Sequence, residues 1–158
     1  MHIGTILVPC DFSEGAEQAF TSALDLAKGW NAKIILFHAI PEFPRIAYAN
    51  VASPEALSQL EIAKLEAEML DDADKKLQQF VERKSDTNIH VETQVTLSEP
   101  FWAICQIAEK KSIDLIVMGS HGRTGLAHVL LGSVAERVVR HAPCPVLVVR
   151  APRETQHR

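Results

Sequence analysis

Apolar positions recur along this chain in two rhythms. Short β-branched runs read as buried strands: Thr5-Ile-Leu-Val-Pro9, Ala32-Lys-Ile-Ile-Leu-Phe-His-Ala-Ile40, Ile113 to Met118, and Cys144-Pro-Val-Leu-Val-Val149. Asn88 to Leu97 alternates in its first half and reads as one more, third in chain order. Between the strands the apolar spacing changes to three and four. Ala16, Phe20, Ala23, Leu24 and Ala27 mark a helix with Ser13 as N-cap, Glu14 and Glu17 in its first turn and Gly29 as its stop. Ser53-Pro54 opens a long helix with Leu57, Leu60, Leu65, Met69, Ala73, Leu77, Phe80 and Val81 on one face, interrupted by Lys64. Glu61, Glu66, Glu68, Asp71, Asp72, Lys75 and Lys76 lie opposite, as a solvated face. This helix is too long for an ordinary crossover, so part of it is expected to reach beyond the sheet. Ser98 is the expected cap of the next helix, with Pro100 in the first turn and Ile104, Ile107 and Ala108 facing inward. A last helix sets Val134, Val138 and Val139 against Glu136, Arg137 and Arg140. Strand and helix alternate five times, which predicts a parallel α/β sheet with helices on both faces.

Composition narrows this picture. A chain of 158 residues, 47% of them apolar, suits one globular domain, taken as residues 1–150 with a polar tail over 151–158. A net charge of −4 offers no broad attraction to nucleic acid. No run approaches the roughly 18 apolar residues of a membrane span, and the N-terminus lacks the charged head of a signal peptide, so the expectation is a soluble cytoplasmic protein without membrane insertion. Cys10, Cys105 and Cys144 are odd in number and lack metal-site spacing, and His141 with Cys144 supplies only two ligands. The segment from Pro41 to Pro54 is broken by prolines yet carries Phe43, Ile46, Tyr48 and Val51; it reads as a flap or a contact for another chain, with no chemistry assigned.

The chemistry concentrates between the fourth strand and the last helix. Gly119, Gly122 and Gly125 are followed by Gly132-Ser133 at the helix start. Glycine lets backbone N–H groups approach a ligand closely, and a helix N-terminus adds unpaired donors and a positive dipole end, which suits phosphate. Asp11 stands just past the end of the first strand, where open α/β sheets bind ligands. Spacing alone leaves it as either a sugar-binding carboxylate or a second helix cap. Arg123 fits phosphate contact or a solvated position equally. His38 reads as a satisfied residue in or near the core.

Gly119, two residues, Gly122, nine residues and Gly132-Ser133 resemble the nucleotide-binding motif of the universal stress protein family, as do the stretch through Val149 and the start of the chain. The resemblance implies a strand order of 3-2-1-4-5, a Rossmann-like doubly wound sheet. Pro9, Asp11, Met118 and Gly119 would then converge at the switch point. It further implies ATP, or ADP or AMP, accompanied by Mg²⁺. Adenine would lie near Pro9 and the Ala39 backbone and ribose near Asp11. The phosphates would lie over Gly119, Ser120, His121, Gly122, Arg123 and Thr124 and over Gly132, Ser133 and Val134. It implies too a homodimer paired through the apolar last strand, Val146, Leu147, Val148 and Val149, which would otherwise be an exposed edge.

Enzyme signatures do not support robust catalysis. The chain has no G-x4-G-K-[S/T] sequence, no early dinucleotide fingerprint and no G-x-S-x-G elbow. His121 and His128 have no orienting partner visible in sequence. The leading expectation is a stress-responsive nucleotide-binding module acting on an unknown protein partner. Slow ATP hydrolysis or self-phosphorylation, and a nucleotide-free dimeric adaptor, are the alternatives.

Overall fold

The computed structural model describes residues 2–41, 59–84, 88–121 and 131–150. Its elements in chain order are β1 (Thr5–Pro9), α1 (Glu14–Trp30), β2 (Lys33–Ile40), α2 (Gln59–Lys84), β3 (Val91–Leu97), α3 (Pro100–Lys110), β4 (Leu115–Gly119), α4 (Ser133–His141) and β5 (Val146–Val149). The five strands form one sheet in the order β3-β2-β1-β4-β5, every pairing parallel. This is the expected doubly wound arrangement.

Alternation along the strands sorts the core into two layers. Ile6, Val8, Ile34, Leu36, Leu115 and Val117 face α1 and α2, where Ala16, Ala19, Phe20, Ala23, Leu24, Leu77 and Phe80 meet them. Leu7, Ile35, Phe37, Ile116 and Met118 face α3 and α4, against Phe101, Ile104, Ile107, Ala135 and Val138. Both faces of β1 are therefore buried, which explains its continuous apolar run. At the amino end of the sheet, Asp114 Oδ2 accepts from the N–H groups of Gly4 and Thr5, each at 2.9 Å, and so binds the entry of β4 to that of β1.

Helix boundaries differ from expectation in two places. Gly29 does not stop α1. Asn31 does, in the left-handed region at φ 54, and the next N–H, that of Ala32, reaches Ala27 O. Asparagine tolerates that conformation through local hydrogen bonding of its short side chain. Ser98 does not cap α3: it still belongs to the strand ladder, its N–H donating to Ile40 O at 2.9 Å, and the helix starts at Pro100, one residue later than a Ser98 cap would place it. Glu99 caps instead, accepting from Trp102 N–H at 3.2 Å, and it also pairs with Arg137 of α4. Ser13 caps α1 as expected, and Pro100 opens α3. The predicted start of α2 at Ser53-Pro54 lies outside the described residues. Within α2 only the carboxyl half packs: Ala73, Leu77 and Phe80 are buried, whereas Leu60 is 65% exposed.

Candidate functional site

The order of strands reverses between β1 and β4. Ile6 pairs with Leu115 and Leu7 with Ile116, so the carboxyl ends of the two strands lie side by side although they come from opposite ends of the sequence. Helix α1 leaves toward β2 and helix α4 toward β5, and the crevice between such diverging connections is the ligand position of this architecture.

Pro9, half-buried, is the last residue of β1 and pairs with Phe37. The ladder extends one bond further, from Cys10 N–H to Phe37 O at 2.7 Å. Asp11 then turns the chain into α1. Its Oδ1 accepts from Ser13 N–H at 3.0 Å and from the Ser13 hydroxyl at 2.5 Å, while that hydroxyl oxygen accepts from Ala16 N–H at 3.2 Å. Asp11 thus orients the cap rather than capping directly. Between Asp11 and Ser13, Phe12 holds a left-handed φ of 64.

Ala39 lies on β2, beyond the last rung that β1 supplies. Phe37 O points toward β1, and backbone groups repeat direction every second residue, so the N–H and C=O of Ala39 point the same way, into the space past the end of β1. His38, between them, is half-buried and bonds Cys10 O through Nδ1 at 2.7 Å, a satisfied histidine as expected.

On the β4 side, Met118 is buried in the sheet, and Gly119 and Ser120 carry the chain out of it. The Ser120 backbone is a junction. Its N–H donates to Val149 O at 2.8 Å, and its carbonyl accepts from Gly132 N–H at 2.7 Å. The loop that leaves after Ser120 therefore returns beside it, and α4 begins at its root. Gly132 adopts φ −68 at the N-cap and has no side chain to cover the first turn of α4, where the Ser133 and Val134 N–H groups emerge. The Gly132 N–H itself is committed to Ser120. Gly122, Arg123 and Thr124, and His128 with them, lie outside the described residues.

Gly119 has a second task that spacing did not reveal. A Cβ built on it would stand 2.8 Å from Gly15 C, and one built on Gly15 would stand 2.8 Å from His121 O. The first turn of α1 is pressed backbone to backbone against the end of β4, which draws two segments of the crevice together. Gly15 went unnoticed in the sequence, although a glycine near the start of a helix runs against propensity and signals close approach. The Ser120 hydroxyl and His121 Nδ1 are 2.9 Å apart, and Ser120 is only 4% exposed. Among the described residues no group of three His, Cys, Asp or Glu gathers to hold a metal.

Known proteins share this fold. A model of the universal stress protein family matches residues 2–150. A universal stress protein of Methanocaldococcus jannaschii is 36% identical, over 94% of this chain and 83% of its own. The solved structure of a second protein from that archaeon has a TM-score of 0.75 at 31% identity, covering 96% of this chain and 99% of the other. A universal stress protein from Lactobacillus plantarum gives 0.70 at 29% identity, covering 95% and 99%. More distant structures, over 94% or more of this chain, share the fold: a universal stress protein in complex with cAMP (TM-score 0.63, 23% identity), one from Archaeoglobus fulgidus with dAMP (0.55, 21%) and a family protein from Arabidopsis thaliana with AMP (0.54, 17%).

Proposed function

The chain belongs to the universal stress protein family, and from that premise we propose that it is an ATP-binding regulatory module without robust catalysis. The observation that carries the reading is the meeting of complementary groups at one crevice. An acidic acceptor, Asp11, stands at the end of β1. The backbone donor and acceptor of Ala39 point past that end, and the first turn of α4 rises beside Ser120. In order, these suit ribose, adenine and phosphate. The N–H groups of Ser133 and Val134 meet phosphate oxygens with the helix dipole behind them, and Gly132 keeps α4 at the loop's root. Relatives of the same fold solved with cAMP, dAMP and AMP support an adenine ligand. Mg²⁺ entering with the nucleotide would be held largely by phosphate oxygens and water, as is usual for this ion.

On this reading bound nucleotide changes the surface offered to a partner protein. A second copy covers the edge of β5, where Leu147 is 40% exposed.

The test is direct. The purified protein is denatured, its small molecules are extracted, and nucleotide is identified by chromatography. ATP with Mg²⁺ is then titrated calorimetrically into wild type, Asp11→Ala and Gly122→Val. Stoichiometric adenine nucleotide, or a binding isotherm weakened by both substitutions, is expected. An empty extract with a flat wild-type titration overturns the proposal and leaves a nucleotide-free adaptor.

A further inference from the structure

The Asp11 carboxylate is only as well placed as the backbone that carries it, and that backbone is gripped from β2. His38 Nδ1 lies 2.7 Å from Cys10 O, immediately before Asp11. A carbonyl oxygen only accepts, so Nδ1 holds the proton and donates it. Immediately after Asp11 comes Phe12, whose φ of 64 is a conformation that a bulky side chain keeps only where its surroundings enforce it. The His38 ring packs on Phe12 with centroids 4.7 Å apart, and Phe80 of α2 meets it from another side at 6.2 Å. One imidazole thus holds the chain on both sides of Asp11: by a hydrogen bond before it and by a ring contact after it. The Asp11–Ser13 bonds complete the turn.

We infer that His38 is a positioning residue of the nucleotide site, setting the turn from Cys10 to Ser13 so that the Asp11 carboxylate faces the ribose hydroxyls. This rests on the nucleotide reading above. His38 acts through Asp11, without touching the ligand, and its specific contribution is to the part of the affinity that depends on those hydroxyls.

Three substitutions separate its two grips. His38→Asn keeps a donor for Cys10 O and loses the ring, His38→Phe keeps a ring and loses the donor, and His38→Leu loses both. Two readouts are taken. Hydrogen exchange of the Ser13 amide, which donates to Asp11, reports the turn without any nucleotide. Calorimetry compares ATP with its dideoxy analogue. Loss of one hydrogen bond predicts that His38→Phe binds ATP about three- to tenfold more weakly. Affinity for the dideoxy analogue should be unchanged, and Ser13 exchange should quicken. His38→Asn should recover much of the ATP affinity, and the ATP loss should vanish in an Asp11→Ala background. Unchanged Ser13 exchange in both His38→Phe and His38→Leu overturns the inference. So does an equal loss for ATP and its analogue with faster exchange throughout β1, the signature of a merely destabilised fold. A wild type that binds no ATP overturns the nucleotide reading itself and with it the role at the ribose, while the exchange arm still decides whether His38 sets the turn.

Discussion

At the scale of single residues, ordinary side chains here do work that depends on their neighbours' backbone. Asp11 is not a simple cap: it accepts a hydrogen bond from the Ser13 hydroxyl and so leaves that oxygen's lone pairs for Ala16 N–H. Asp11 does not cap α1 itself, as one sequence reading has it: it holds Ser13, which does. The cysteines illustrate the opposite case, groups kept quiet by their surroundings. Burial pushes the Cys105 thiol up, with Arg137 opposing, and burial followed by the charge of Asp114 and the nearby Cys105 pushes Cys144 up. A raised pKa means less thiolate at neutral pH, and thiolate is the reactive form. Alkylation of Cys105 and Cys144 is expected to be slower than that of a small-molecule thiol at pH 7.5 and to accelerate as pH rises. Mass-spectrometric labelling rates across pH check this; a fast neutral-pH reaction at either site contradicts it.

At the scale of elements, glycine positions separate into those that permit packing and those that merely weaken a helix. Gly15 and Gly119 lie where α1 meets the end of β4 with no room for a methyl group, and the nearest atoms are backbone, which cannot swing aside. Gly15→Ala and Gly119→Ala are each expected to destabilise by about 1–3 kcal/mol, the usual cost of overpacking. Gly29, inside α1, has nothing within 4 Å of a built Cβ. Gly29→Ala is expected to stabilise by about 0.5–1 kcal/mol through helix propensity. Urea unfolding midpoints measure all three, and the opposite signs make the comparison strict. The same reasoning explains the shifted caps. Ser98 resembles a cap by residue type, but it ends the strand ladder through Ile40 O, and the helix begins one residue later under Glu99.

For the whole molecule, the two sheet edges are unlike. β3 at one end carries polar residues, with Glu92 paired to Lys111 and Thr93 bonded to Asp74. β5 at the other is four apolar residues, Val146 and Val148 packing toward α3 and α4 and Leu147 outward. An apolar edge of this kind invites pairing with another chain. On the proposed homodimer, Leu147→Lys is expected to shift the protein toward monomer in sedimentation velocity while leaving its circular dichroism intact. An unchanged association state would place the dimer contact elsewhere or remove it.

The sequence by itself determined the succession of strands and helices, because short continuous apolar runs give way to a spacing of three or four wherever a strand gives way to a helix. It also determined the inward faces of α1 and α3. The glycine-rich link between β4 and α4, and with it the family, was legible because glycine and a helix start carry their chemistry locally. The neighbours of those residues across space were left to the tertiary structure. Periodicity says nothing of which strand lies beside which, so the strand order rested on resemblance until β1 was seen to pair with both β2 and β4. Single-residue identity could not disclose that Gly119 admits α1, that the Gly132 N–H is already spent on Ser120, or that His38 holds both flanks of Asp11. Each of these is a contact between residues distant in sequence. Its energy depends on distances of a few ångströms, which only the folded chain sets.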